Sequence, residues 1–183
     1  SVQLNNGNGK YDNAAHILNL AKTDWSWSVD INDFNLDGAN DVYVTNGYRK
    51  YAKDNDYRSE VNAVKSKYGT AVPNSVKQEL YDKMPSEALS NLMFSRTNMA
   101  LENQSKTWGL DVPSFSNGSI SADLDNDGDL EIVVNNIDSE ILLFKNLASE
   151  KNSSISLVTD NVDRNYSFEA AFYFNDSHVK KYS

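Results

Sequence analysis

Cysteine is absent from this 183-residue chain, and histidine occurs only twice. The first absence excludes disulfides, thiolate zinc sites and cysteine nucleophiles, while leaving the redox surroundings open. The second leaves His16 and His178 with no neighbouring Cys, Ser or His motif, so each reads as a surface or packing residue. Positive charge is scarce too: 17 Lys plus Arg stand against 26 Asp plus Glu, a net charge of −9. With no Lys/Arg cluster, nucleic acid and anionic membrane surfaces are poor partners, and cations suit the chain better. No apolar run approaches the roughly 18 residues of a membrane span. The opening stretch SVQLNNGNGK lacks the charged and apolar regions of a signal peptide, so any export signal is expected to have been removed or to lie outside this sequence. G-x-S-x-G, P-loop and H-E-x-x-H motifs are missing, and the acids cluster in loops rather than pairing across a cleft. No catalytic residue is therefore assigned, and the chain is read as a non-enzyme.

What is present is enough to fold. Apolar residues make up 39% of the chain and aromatics 11%, too rich in core-forming residues for a disordered segment. Shifting the chain by 90 positions, Val2 onto Leu92, aligns residues 2–46 with 92–136 without a gap. Trp25 and Ser26 meet Phe115 and Ser116, Asp33 meets Asp123, Asp37 and Gly38 meet Asp127 and Gly128, Asp41 meets Glu131, and Val42, Val44 and Asn46 meet Ile132, Val134 and Asn136. A unit of about 45 residues thus occurs twice around a non-repeating insertion.

Within the unit, WSWSVDIND alternates: Trp25, Trp27, Val29 and Ile31 fall on one face, and Ser26, Ser28, Asp30 and Asn32 on the other. That is a strand with period two, and the alternation predicts that the two Trp residues pack in the core rather than stack on sugars at the surface. An acidic loop follows, then a short strand, DVYVTN or EIVVNN. Hairpins are expected over VQLNNGNGKYDN and LMFSRTNMALEN, and EILLFKNLAS reads as the opening of a third. Short strands, turn signals and a per-unit repeat indicate β-propeller blades or a stacked β array. In the insertion, Tyr57, Val61, Val64 and Tyr68 recur at helical spacing before Gly69. A second helix is expected from a cap at Asn74 or Ser75 to Met84, and the pair is expected to cover the propeller rim. Strands are also expected near SISLVTD and SFEAAFYFND, beyond residue 150.

Each acidic loop places oxygen-bearing side chains at positions 1, 3, 5 and 9: Asp33, Asn35, Asp37 and Asp41 in the first, Asp123, Asp125, Asp127 and Glu131 in the second. Position 6 is Gly38 or Gly128, which supplies a tight turn, and Ala39 or Asp129 at position 7 can offer a backbone carbonyl. Two unit charges ~4 Å apart repel by about 4 kcal/mol at an effective dielectric of 20, and a divalent cation reverses that sign. Hard oxygens at flexible spacing favour Ca²⁺ over Mg²⁺, with two sites expected and the less charged first one weaker. An EF-hand needs Glu at position 12 and a helix afterwards, whereas Val44 and Val134 stand there inside β-branched runs.

DWSWSVDINDFNLDGANDVYVTNGY and PSFSNGSISADLDNDGDLEIVVNNID resemble the FG-GAP/VCBS repeats of integrin-alpha-type β-propellers, particularly bacterial secreted or surface proteins that end in an ASPIC/UnbV domain. The resemblance covers roughly residues 1–47 and 90–147. It implies a mainly β fold, calcium at the eight side chains named above, and an exported or cell-surface protein that binds another protein or a carbohydrate. We expect propeller blades over residues 1–147 with the helical insertion at about 48–90, and a C-terminal β segment over 148–183 that begins an ASPIC/UnbV-like domain. The blades present are too few to close a ring, so a larger protein is expected. Two other readings remain open: the non-catalytic part of a polysaccharide-active enzyme, or a structural subunit of a surface assembly in which the insertion makes the contact.

Overall fold

A computed structural model describes residues 2–51, 53–97, 100–155, 170–174 and 178–182. Residues 154–160 of the expected C-terminal strand SISLVTD lie mostly outside them. The described chain is mainly β, in several small antiparallel sheets. The first hairpin pairs β1 (Gln3–Asn5) with β2 (Tyr11–Asn13). A four-stranded sheet follows in the order β3 (Ser26–Asn32), β4 (Asp41–Asn46), β6 (Leu92–Thr97), β7 (Ala100–Asn103). Between β4 and β6 stand the helices α1 (Asn55–Tyr68) and α2 (Asn74–Lys83) and the short β5 (Leu89–Ser90), which pairs with β8 (Pro113–Ser114). The second large sheet is β11 (Leu142–Phe144), β10 (Glu131–Asn136), β9 (Ser116–Ala122). A separate hairpin pairs β12 (Ala170–Phe174), inside the expected strand SFEAAFYFND, with β13 (His178–Tyr182). Among the described residues no sheet closes into a barrel and the sheets form no ring.

The repeat seen in the sequence is a repeat of structure. β3 and β9, and β4 and β10, are equivalent under the 90-position shift, and so are the turns that precede them. Leu18 N–H donates to Ala14 O and Leu20 N–H to Ala15 O, just as Trp108 N–H donates to Gln104 O and Leu110 N–H to Ser105 O. Ser26 Oγ donates to Asn46 Oδ1 at 2.9 Å, and Ser116 Oγ to Asn136 Oδ1 at 2.7 Å. The third strand repeats as well: Val42 pairs with Phe94 and Val44 with Leu92, while Ile132 pairs with Phe144 and Val134 with Leu142. EILLFKNLAS therefore supplies the third strand of the second unit, with the insertion absent from that unit.

The core lies between the two large sheets. Tyr43 and Met93 from one and Ile132 and Val134 from the other are buried with Phe34 and Leu110. A second cluster, Val42, Val44, Phe94 and Leu101, sits on the outer side of the four-stranded sheet beneath Leu18 and Leu20. Gly47 permits the close approach of the units, because a Cβ there would run into the backbone of Phe115 and Ser116.

Two expectations are corrected. The apolar side of β3 is not core: Trp27 is 54% exposed, Val29 58% and Ile31 56%, while the polar side turns inward. Trp25 is half-buried, but against Tyr48 and Tyr51, with ring centroids 4.5 and 6.1 Å away. Period two separates the faces of a strand without saying which face another sheet will cover. The helices contact each other and bury no residue fully, and the Tyr57, Val61, Val64, Tyr68 stripe is half-buried. Asp54 caps α1, its carboxylate accepting from Tyr57 N–H at 2.9 Å, and Gly69 ends it at φ 58°. α2 begins after Pro73 rather than on a side-chain cap from Asn74 or Ser75, the proline's extended backbone setting the entry.

Candidate metal centre

The acidic loops join β3 to β4 and β9 to β10, and they wind in the same way. Asp33 accepts from Asp37 N–H at 3.0 Å and Gly38 N–H at 2.8 Å; Asp123 accepts from Asp127 N–H and Gly128 N–H, both at 3.1 Å. The position-9 carboxylate closes each loop: Asp41 accepts from Phe34 N–H at 3.0 Å and Glu131 from Leu124 N–H at 2.8 Å. Leu36 and Asn126 hold φ of 56° and 61°, and Gly38 and Gly128 follow at 84° and 94°. A left-handed residue twice in three positions curls the chain so that alternate side chains point to one centre, and glycine meets the second turn without a Cβ penalty.

The loops differ in what they gather. In the second, Asp123, Asp125 and Glu131 bring ligand atoms within 4.8 Å of one another, and so do Asp127, Asp129 and Glu131. These five carboxylates could hold a metal ion. Among the described residues Asp33, Asp37 and Asp41 form no such trio, and Asn35 instead donates to Asp37 at 3.0 Å. Asp129 is wholly buried, with Oδ2 accepting from Ser149 N–H at 2.8 Å and Oδ1 without a hydrogen-bond partner. In the first loop Asp41, the equivalent of Glu131, is likewise fully buried with Oδ1 unpartnered. A buried carboxylate oxygen facing no donor is costly unless something positive meets it.

Local charges shift several of these groups. Burial raises the Asp41 carboxyl above its ordinary range, against a hydrogen bond from Ser95. The Asp129 N–H lowers Asp127, helped by Ser149 Oγ. Lys145 lies 2.6 Å from Asp125 and is held more basic by that contact.

Position 7 carries more than the backbone carbonyl expected of it, because the Asp129 side chain itself faces the cluster. The segment after β11 was also invisible as a participant. Asn146 donates to Phe34 O at 2.7 Å and Leu130 O at 3.2 Å, and Asn152 donates to Asn35 O at 2.8 Å, so residues 145–154 strap the two loops together. The only sequence signal for this was the polar run after Phe144. Beside the loops opens a cleft of about 520 Å³, floored by Phe34, Met93, Trp108 and Ile132 and rimmed by Lys151 and Asn152. His16 is exposed, as expected. No helix among the described residues is long and apolar enough to cross a membrane. No family model, curated protein or solved structure matches the chain.

Proposed function

We propose that the chain is a calcium-binding segment of an FG-GAP/VCBS-type β-propeller in an exported or cell-surface protein, and that it serves to bind a protein or a glycan. The observation that carries the metal reading is the buried, partnerless Oδ1 of Asp129 inside a group of five carboxylates. Asp123, Asp125, Asp127, Asp129 and Glu131 would hold the ion in the second loop; Asp33, Asn35, Asp37, Asp41 and the carbonyl of Ala39 would hold a weaker one in the first. All donors are oxygens, which favours Ca²⁺ or Mg²⁺ over zinc or copper, and their number and irregular spacing favour Ca²⁺. The ion would offset the repulsion and tie β9 to β10, so its role is structural.

The paired units that face each other across one core support the propeller reading, since further units added the same way would continue the array. Trp108 beside the polar rim of the cleft favours a glycan as ligand, an aromatic surface edged by polar groups being suited to a sugar ring.

Isothermal titration with Ca²⁺ and with Mg²⁺ tests the metal. Calcium binding with Kd of roughly 10⁻⁴ to 10⁻³ M is expected, as for extracellular modules, with Mg²⁺ weaker. No heat and no thermal shift with either ion would overturn it. A glycan array read with wild type and Trp108→Ala separates the ligand classes: binding lost in the variant supports the glycan, and an array blank with wild type leaves a protein ligand.

A further inference from the structure

The third strand meets each acidic loop at the same place but with different chemistry. Phe94 pairs with Val42 and Phe144 with Ile132, so the residues that follow, Ser95 and Lys145, are equivalent. Each reaches position 3 of its loop: Ser95 Oγ accepts from Asn35 Nδ2 at 3.4 Å, and Lys145 Nζ donates to Asp125 Oδ2 at 2.6 Å. The neutral Asn35 is met by a hydroxyl, and the charged Asp125 by an ammonium. That ammonium already stands as a cation at the edge of the trio Asp123, Asp125 and Glu131. An ion held by the same trio would claim the oxygen that Lys145 now occupies, and two like charges at such range repel.

The other neighbour of Lys145 is the cleft. Its charged lining residues are Lys145 and Lys151, and no Asp or Glu lines it, in a chain of net charge −9. Lys151 makes no ion pair among the described residues. Trp108 and Phe144 add flat apolar surface, and Thr107 and Asn152 add polar groups. Aromatic surface, neutral polar groups and two ammoniums together suit a sugar ring that carries a carboxylate or a sulfate. The loop and the cleft also share a wall. Asn146 N–H donates to Glu131 Oε1 at 3.3 Å, Ser149 N–H to Asp129 Oδ2 at 2.8 Å and Ser149 Oγ to Asp127 Oδ2 at 3.0 Å, while Asn146 and Ala148 line the cleft.

We propose that Lys145 is shared between the second loop and the cleft: it pairs with Asp125 while the loop holds no ion, and it turns into the cleft to bind the anion of an acidic saccharide once the loop holds calcium. The proposal rests on the metal and glycan readings above, and adds the charge of the sugar and its linkage to the ion. Both ligands require Lys145 to leave Asp125. Calcium therefore raises the affinity for the acidic sugar, and the sugar raises the affinity for calcium by the same factor.

Isothermal titration of the full chain tests it, with Ca²⁺ as one titrant and three probes as the others, each run in calcium and in chelator. The probes are a hyaluronan hexasaccharide, the neutral chitin hexasaccharide and a glutamate peptide of matching charge. Wild type should bind hyaluronan, more tightly in calcium by about three- to fivefold, the worth of an exposed ion pair. Lys145→Met should bind Ca²⁺ about three- to fivefold more tightly, yet bind hyaluronan at least about fivefold more weakly and with no calcium dependence. A lysine that merely supported the fold would weaken both. Lys145→Arg keeps the charge and should restore wild-type behaviour in both titrations, and Lys151→Met should weaken hyaluronan while leaving calcium affinity unchanged. Calcium bound alike by wild type and Lys145→Met, hyaluronan bound alike in calcium and chelator, or the chitin or glutamate probe bound as well as hyaluronan would overturn the proposal and leave the metal reading standing. No calcium binding by wild type would overturn both.

Discussion

Asp129→Asn is expected to act with opposite sign in chelator and in calcium. Asp129 is 0% exposed and Glu131 3%, and their carboxylate oxygens lie within 4.8 Å of each other. Two unit charges at that separation repel by about 3.5 kcal/mol at an effective dielectric of 20. The amide keeps an oxygen for Ser149 N–H and removes the buried charge. In chelator the variant should be more stable than wild type by roughly 2–3 kcal/mol, a rise in Tm of about 5–10 °C for a chain of this size. In calcium wild type gains ligand-linked stability, about 2.7 kcal/mol at an ion concentration one hundred times Kd, and the variant, having lost a charged ligand, gains far less. The curves should therefore cross. Thermal melts and urea titrations of both proteins in each solution read the effect. Equal shifts on adding calcium, or a variant destabilised in chelator, would refute the claim that a cation relieves this buried charge.

Tyr43→Phe should change stability by no more than about 1 kcal/mol in urea melts, because burial pushes the phenol pKa up to about 12 while its hydroxyl makes no well-aligned hydrogen bond beyond the approach of Asn91. Asn91 beside it is already engaged, accepting from Asn46 N–H and donating to Ser116. Gly47→Ala should destabilise by about 3 kcal/mol, since its Cβ would have to push apart the two units at Phe115 and Ser116; an unchanged Tm would show that the units are not in close contact there. The Asp41 carboxyl is raised by burial, so the folded chain holds that proton more tightly than the unfolded chain does. Its contribution is full below the ordinary carboxylate value and is lost as pH rises through the raised one. Asp41→Asn should flatten that fall in a series of urea melts in chelator.

Much of the architecture was legible because it is local or periodic. The Asp/Gly spacing dictates the loop winding whatever surrounds it, and Asp33 and Asp123 make the same pair of backbone contacts. The strands on either side, the two hairpins and the span of α1 follow from alternation, turn residues and a capping aspartate. What eluded the sequence is where separate pieces meet. Alternation in β3 identified two faces, yet the covered one is the serine face, because β9 presents Ser119 and Ser121 to it. Leu142–Phe144 was seen as a strand without being recognised as the third strand of a unit that lacks the insertion.

By itself, then, the sequence determined the repeat, the strand and loop types and the crowding of negative charge, since each depends on residues within one turn or one strand of each other. Only the tertiary structure decided that Asp129 is buried with an orphaned oxygen, that residues 145–154 strap two loops lying ninety positions apart, and that β3 turns its valine and isoleucine outward. Those outcomes depend on which surface arrives opposite, and burial is a property of two surfaces rather than of one stretch of chain.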